Sequence, residues 1–178
     1  MTVRLLAISG SLREASSNSR LVEALVRLAP QGVAVEVYRG LQDLPFFNLD
    51  LDGDAPPGPV ADLRRRIGAC DGLVICSPEY AHGVAGVMKN ALDWLVPSVE
   101  FPGKPVALIN ASPQAHHAQA HLRETLTIMS AQLVEAASVS VPLQGRGLSV
   151  EAIVEDAQLA EALRGVLAEL AAAARAAG

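Results

Sequence analysis

Two short segments carry residue types suited to binding a phosphate and a flat organic ring. Residues 9–18 read Ser-Gly-Ser-Leu-Arg-Glu-Ala-Ser-Ser-Asn and directly follow the apolar run Val3 to Ile8. Small hydroxyl and amide side chains at the start of a helix favour an anion, because the first N–H groups are free and the dipole end is positive. The guanidinium of Arg13 can add two parallel hydrogen bonds to a phosphate. The predicted phosphate-binding residues are Ser11, Arg13, Ser16, Ser17 and Asn18.

The second segment, residues 77–94, follows the apolar run Leu73 to Cys76. Ligands of open α/β sheets bind outside the carboxyl ends of the strands, which is where this segment begins. A loop for a phosphate and a loop for a flat ring together predict a nucleotide-like cofactor site. Ser11, Ser16, Ser17 and Asn18 also suit a simpler role as caps of the first helix.

Both segments resemble the NAD(P)H-dependent FMN reductases of flavodoxin-like fold, a family that includes quinone and chromate reductases. The first family motif, G-S-x-R-x-x-S-x-N, is matched by Gly10, Ser11, Arg13, Ser16 and Asn18. The second family motif is P-E-Y-N-x-S-x-P-G-x-[LM]-K-N-A-[IL]-D-W. It is matched at Pro78, Glu79, Tyr80, Gly86, Met88, Lys89, Asn90, Ala91, Asp93 and Trp94. The chain departs from it at Ala81, Gly83 and Ala85.

The resemblance implies an FMN-dependent oxidoreductase that takes a hydride from NAD(P)H and reduces quinones, free flavin or other small acceptors by a ping-pong cycle. It implies that the segment Pro78, Glu79, Tyr80, Ala81, His82 and Gly83 edges the flavin ring, with Ser112 as a further polar contact. Since the flavin carries the electrons, the protein supplies binding, orientation and electrostatics. We therefore expect no catalytic side chain.

Two other functions remain open on the sequence alone. The chain could be an electron carrier like flavodoxin, although such carriers are usually more acidic and lack the K-N-A-x-D-W segment. It could also be a protein of the same fold that has lost its flavin, an alternative suggested by Ala81, Gly83 and Ala85.

Several other chemistries are excluded or disfavoured by motif. Neither Cys70 nor Cys76 is followed six residues later by the arginine that a low-molecular-weight phosphatase needs. No P-loop motif appears, and no G-x-G-x-x-G follows the first strand. His116, His117 and His121 lack a glutamate spaced as in H-E-x-x-H, so we expect no metal site.

Composition bounds the remaining possibilities. The 178 residues predict one FMN-binding domain spanning residues 1–178, and the 51% hydrophobic content suits a sheet covered on both faces. No apolar run approaches the roughly 18 residues of a membrane span. A net charge of −5 and 3% aromatic residues argue against nucleic-acid binding. Two isolated cysteines and no signal-peptide pattern predict a cytoplasmic protein.

Short apolar runs alternate regularly with helical patterns, which predicts an α/β fold, a three-layer doubly wound five-stranded parallel sheet. The predicted strands are Val3–Ile8, Val33–Tyr38, Leu73–Cys76, Pro105–Asn110 and Leu133–Val141. The predicted helices are Asn18–Leu28, Val60–Ala69, Val84–Leu95, His116–Ala131 and Val150–Ala177. The flavodoxin-like order 2-1-3-4-5 follows from the resemblance and from the rule that ligand loops meet where the strand order reverses.

The predicted helix Val84–Leu95 is apolar beyond what one sheet face needs, and Val96 to Phe101 is apolar for a loop. An apolar surplus beside a ligand loop is typical of a partner surface. The resemblance also implies a two-fold interface in this region. We therefore expect a homodimer or homotetramer with Trp94 or its neighbours buried between chains. The alternative is that these side chains pack internally under the loop Leu44–Pro59.

Overall fold

The computed structural model describes residues 1–143 and 145–178. It contains the expected sheet of five parallel strands. These strands are β1 (Val3–Ser9), β2 (Val33–Tyr38), β3 (Gly72–Cys76), β6 (Pro105–Ile109) and β7 (Gln132–Leu133), while β4 (Glu79–Tyr80) and β5 (Gly83–Val84) form a separate hairpin. Across the sheet, the strands lie in the order β2-β1-β3-β6-β7. Counting only the strands of this sheet, the order is 2-1-3-4-5, as predicted.

Helices cover both faces of the sheet, which explains why its central strands are apolar on both sides. One face packs against α1 (Ser17–Leu28), α5 (Val150–Glu155) and α6 (Ala157–Ala177). The other packs against α2 (Gly58–Ala69), α3 (Gly86–Leu95) and α4 (His116–Ile128). All five residues of β3 and all five of β6 are buried. The carboxyl ends of β1, β3 and β6 therefore form a well-packed edge that carries the loops following these strands.

The prediction of one helix from Val84 to Leu95 is wrong at its start. Gly83 and Val84 form a short strand, β5 (Gly83–Val84), which pairs antiparallel with β4 (Glu79–Tyr80). The helix begins only at Gly86, after this hairpin. The loop that follows β3 is consequently a hairpin standing above the sheet edge.

The prediction of a fifth strand from Leu133 to Val141 is also wrong in extent. β7 has only two residues, and a 3-10 turn at Glu135–Ala137 follows it. The hydroxyl of Ser138 accepts from the N–H of Leu108 at 3.1 Å and donates to the carbonyl of Val134 at 2.9 Å. The Ser138 hydroxyl thus replaces hydrogen bonds that the backbone of a continuous strand would make. Parallel pairing with the chain after β6 resumes at a bridge between Asn110 and Ser140.

The predicted closing helix Val150–Ala177 is divided at Asp156. The Asp156 carboxylate accepts hydrogen bonds from the N–H groups of Gln158 and Leu159, both at 3.1 Å. A short acidic side chain in this position is a strong helix cap, so the chain ends α5 and starts α6 there. The predicted fourth helix is likewise shorter by three residues, because Ser130 adopts a left-handed conformation with φ 64°.

Trp94 lies inside the chain, so the expectation that a partner subunit buries it is wrong. Its side chain is fully buried, and its Nε1 donates to the carbonyl of Pro45 at 2.8 Å. Phe47 packs edge-on against the indole, with ring centroids 5.1 Å apart. The internal alternative is therefore the correct one for Trp94. Val96 and Val99, beyond the end of α3, remain 62% and 88% exposed.

Candidate flavin site

A cavity of about 260 Å³ lies at the carboxyl edge of the sheet, between the loops that follow β1, β3 and β6. Nine of the twelve predicted site residues line it. They are Ser11, Arg13, Ser16, Ser17, Asn18, Pro78, Glu79, Tyr80 and Ser112. Ala81, His82 and Gly83 are not among the lining residues, so their predicted contact with a cofactor stays a prediction.

Gly10 allows the first loop to approach β3 closely. Its N–H donates to the carbonyl of Cys76 at 2.8 Å. A Cβ built on Gly10 would lie 2.5 Å from the Ser77 hydroxyl and 3.1 Å from the Ser77 Cα. A side chain here would push the loop away from the strand, so the glycine fixes the depth of the cavity at this end.

The first loop presents several hydrogen-bond donors at one end of the cavity. Ser16 caps α1 by accepting from the N–H of Ser19 at 3.3 Å, and its own hydroxyl proton remains available to a ligand. Ser17 is the first residue of the helix. Arg13 is exposed at the mouth, and it forms no salt bridge within residues 1–143 and 145–178. An unpaired guanidinium beside a helix N-terminus suits a dianionic phosphate.

The second loop forms the hairpin of β4 and β5, whose turn residues Ala81 and His82 have φ values of 49° and 62°. Two consecutive left-handed residues are the requirement of a type I′ hairpin turn. Ala81 and His82 do not line the cavity, whereas Pro78, Glu79 and the 54% exposed Tyr80 do. The wall at this end is therefore formed by the base of the hairpin.

Glu79 fastens the hairpin to the N-terminus of α4. Its carboxylate accepts from the N–H of Ala118 at 2.9 Å, and this hydrogen bond is the main cause of its lowered pKa. His117 and His82 nearby lower the pKa further. The two imidazole rings stack with centroids 4.1 Å apart. His82 thus packs against the helix and helps position the hairpin.

The sequence reading missed five lining residues, namely Ser77, Asn110, Ala111, Gln114 and Ala115. Most belong to the loop after β6, which Asn110 organises by accepting from the N–H of Ser112 at 3.0 Å and donating to the carbonyl of Ala115 at 3.3 Å. The rule used for the loops after the first and third strands, that ligands bind at the carboxyl ends of parallel strands, also applies here and could have found them.

His82, His116 and His117 lie close together at the start of α4. Within the part of the chain that the structure describes, no group of three or more His, Cys, Asp or Glu side chains is arranged to hold a metal ion. His116 lies edge-on to His117, with ring centroids 6.4 Å apart, and both are exposed.

Among the described residues, none of the helices combines the length and the apolar character that crossing a membrane requires.

A flavodoxin-like sheet whose cavity has hydroxyl, amide and guanidinium donors at one end and a hairpin at the other is typical of nucleotide-binding proteins of this fold class. Sequence comparison agrees with this class. The sequence model of the NADPH-dependent FMN reductase family matches residues 3–145. The chain belongs to this family.

Individual relatives point the same way. An NAD(P)H-dependent FMN reductase of Pseudomonas aeruginosa is 35% identical over 162 residues, which cover 84% of this chain and 87% of the relative. A quinone reductase of Escherichia coli is 32% identical over 138 residues, covering 74% of this chain and 73% of the relative. The solved structure of a flavoenzyme NAD(P)H:(acceptor) oxidoreductase from Paracoccus denitrificans superposes with a TM-score of 0.82 at 28% identity, covering 99% and 100% of the two chains.

Proposed function

We propose that this protein is an FMN-dependent NAD(P)H oxidoreductase that reduces quinones and similar small acceptors. The observation that carries the proposal is the polarity of the cavity, with hydroxyl, amide and guanidinium donors at the α1 end and the hairpin base at the other. FMN has a matching arrangement, with an anionic phosphate at one end and a flat ring at the other, joined by a short chain. We assign Ser11, Arg13, Ser16, Ser17 and Asn18 to the phosphate, and Pro78, Glu79, Tyr80 and Ser112 to the ring end.

Flavin, when bound, accepts a hydride from NAD(P)H and passes the electrons to a second substrate. The chain's own residues bind and orient the reactants. The Glu79 carboxylate accepts a hydrogen bond from the N–H of Ala118. Its lowered pKa keeps it ionised, so it is unsuited to donating a proton. The guanidinium of Arg13 has only hydrogen-bond donors, so it can bind an anion but cannot accept a proton from a substrate. These assignments support a site without a catalytic acid or base.

Quinones are the acceptor class best supported by the relatives. Besides the quinone reductase of Escherichia coli, a 2-hydroxy-1,4-benzoquinone reductase of Burkholderia is 38% identical over 130 residues, covering 69% of each chain. The cavity also has a mouth at which an acceptor could reach the ring end, since Tyr80 and Gln114 are both exposed there.

The proposal is tested by purifying the protein, recording its visible spectrum and following NAD(P)H oxidation with 1,4-benzoquinone. We expect flavin absorption, and parallel double-reciprocal lines when both substrates are varied, as a ping-pong cycle requires. Arg13→Ala should lose activity at limiting FMN and regain it when FMN is added in excess. Bound flavin with no NAD(P)H oxidation would favour an electron carrier. Failure to bind FMN would favour a protein that has lost its flavin.

We also propose that residues 1–178 act as one FMN-binding domain in the cytoplasm. Both cysteines are free and buried, as suits a reducing compartment.

We further propose a homodimer, in which exposed apolar side chains outside the core form the contact. Phe46 and Leu49 lie on the loop over α3 and are 91% and 67% exposed, and Val96 and Val99 follow the same helix. Apolar surface of this kind is typical of a partner contact. Sedimentation equilibrium at micromolar concentration should show twice the 18.6 kDa chain mass. A monomer at that concentration would refute the dimer without touching the assigned flavin site.

A further inference from the structure

Cys76 lies beneath the phosphate end of the cavity without lining it. It is the last residue of β3, and its side chain is completely buried. Its Sγ donates to Oδ1 of Asn18, 3.0 Å away and 58 residues distant in the chain. Asn18 lines the cavity and is 9% exposed. The thiol therefore touches the hidden side of a residue whose other side faces the ligand.

Among residues 1–143 and 145–178, the Cys76 thiol donates its proton to one acceptor, Oδ1 of Asn18. Burial raises the pKa of Cys76 to about 12, and the backbone at Ala111 opposes this shift only in part. The group is a neutral thiol at any working pH and acts as a donor. Because Oδ1 of Asn18 lies 3.0 Å from the sulfur, the S–H proton is directed at this amide oxygen.

This contact decides which atom Asn18 presents to a ligand. An asparagine side chain has an acceptor oxygen on one side and a donor NH₂ on the other. Because Oδ1 faces Cys76, Nδ2 is the atom left for the cavity. No group in residues 1–143 and 145–178 accepts a hydrogen bond from Nδ2. A flipped amide would instead turn its oxygen toward an anionic phosphate and repel it.

We propose that Cys76 is a positioning residue that holds the Asn18 amide with its NH₂ toward the phosphate of the bound nucleotide. It does not contact the ligand, and it acts only through Asn18. The inference rests on the proposed function, since it assumes that this end of the cavity takes a phosphate.

The test compares the affinity of flavin-free variants for FMN and for riboflavin, measured by quenching of flavin fluorescence. Cys76→Ala removes the S–H donor and lets the amide flip, so the Kd for FMN should rise about three- to tenfold, as for one neutral hydrogen bond. Riboflavin lacks the phosphate, and its Kd should change less than about twofold. Cys76→Ser keeps a donor in the same place and should restore FMN binding to within about twofold of the wild type.

Cys70→Ala is the matched control. Cys70 is also a buried free cysteine, but its Sγ donates to the carbonyl of Ile67 at 3.3 Å, at the other end of β3. We expect no change in the FMN Kd. Thermal unfolding of all variants reports whether a cavity in the core has lowered stability in general.

A double-mutant cycle separates positioning from packing. In an Asn18→Ala background, Cys76→Ala should have no further effect on the FMN Kd, because the residue through which it acts is gone. Additive effects, or equal losses for FMN and riboflavin, would overturn the inference. Wild-type protein that binds no FMN would instead refute the proposed function.

Discussion

The conformation of the turn between β4 and β5 predicts how substitutions of Ala81 affect stability. This residue has a φ of 49°, in the left-handed region that is unfavourable for residues with a Cβ. Glycine and asparagine adopt that conformation far more readily than alanine does. We therefore predict that Ala81→Asn and Ala81→Gly stabilise the protein or leave it unchanged, whereas substitutions of alanine by these residues ordinarily destabilise.

The expected magnitude follows from two opposing terms. The left-handed conformation costs a residue with a Cβ about 1–2 kcal/mol. Glycine relieves this strain, but it also adds conformational freedom to the unfolded chain, which offsets about 0.4–1 kcal/mol of the stabilisation. Ala81→Gly should accordingly raise the free energy of unfolding by about 0 to 1.6 kcal/mol. Ala81→Asn, which carries little of the glycine penalty, should raise it by about 0.5 to 1 kcal/mol.

Urea denaturation followed by circular dichroism measures both values, with Ala120→Gly as the matched control. Ala120 is exposed in the middle of α4, where a change to glycine should lower the free energy of unfolding by about 1 kcal/mol. Ala120→Gly should therefore lower the free energy of unfolding, whereas Ala81→Gly should raise it or leave it unchanged. If Ala81→Gly destabilised as much as Ala120→Gly, Ala81 would not be in the left-handed conformation and the hairpin geometry would be wrong.

Three further predictions concern the packing and the loops around the site. Trp94→Phe removes the buried indole N–H and part of the ring, and should lower the free energy of unfolding by about 1–3 kcal/mol in urea denaturation; unchanged stability would contradict its internal burial. The pKa of Glu79 is lowered from its ordinary value of 4.5, so its contribution to stability is complete above that pH and is lost as the pH falls below it. Glu79→Gln should therefore flatten the dependence of the unfolding temperature on pH as the pH falls below 4.5, and an unaltered profile would contradict the contact. Gly10→Ala, whose new Cβ would meet Ser77, should lower the free energy of unfolding by about 1–3 kcal/mol in urea denaturation. In the control Gly58→Ala, the new Cβ meets nothing within 4 Å, and the free energy of unfolding should change by less than about 0.5 kcal/mol.

The sequence predicted the central fold well because strong local patterns agreed with one another. The second strand, Val33–Tyr38, was predicted to the residue, and β1, β3 and β6 within one. Their apolar runs are short, are bounded by polar residues and lie between amphipathic helices. That residues 11, 13 and 16–18 would line the site was also predictable, because they lie close together in the chain and include the cap of a helix that follows a strand. Their contact with a phosphate stays a prediction.

The elements that failed depend on single side chains acting at a distance. Nothing in the local pattern shows that the Ser138 hydroxyl replaces ladder bonds and shortens the fifth strand. The burial of Trp94 depends on a carbonyl 49 residues away, at Pro45. The contact of Cys76 with Asn18 likewise joins two segments that are unrelated in sequence. Such contacts follow from the tertiary arrangement and leave no periodic signal.

The central claim is that the cavity binds FMN with its phosphate among the donors of the first loop. The most direct test is calorimetric titration of flavin-free wild type and Arg13→Ala with FMN and with riboflavin, using Arg39→Ala as the control arginine. Arg39 is exposed and paired with Glu23, and it does not line the cavity. We predict that Arg13→Ala weakens FMN binding by about 1.5–3 kcal/mol, roughly ten- to hundredfold, with little change for riboflavin or in Arg39→Ala. Equal losses for both ligands in Arg13→Ala, or equal affinities of the wild type for FMN and riboflavin, would contradict the account.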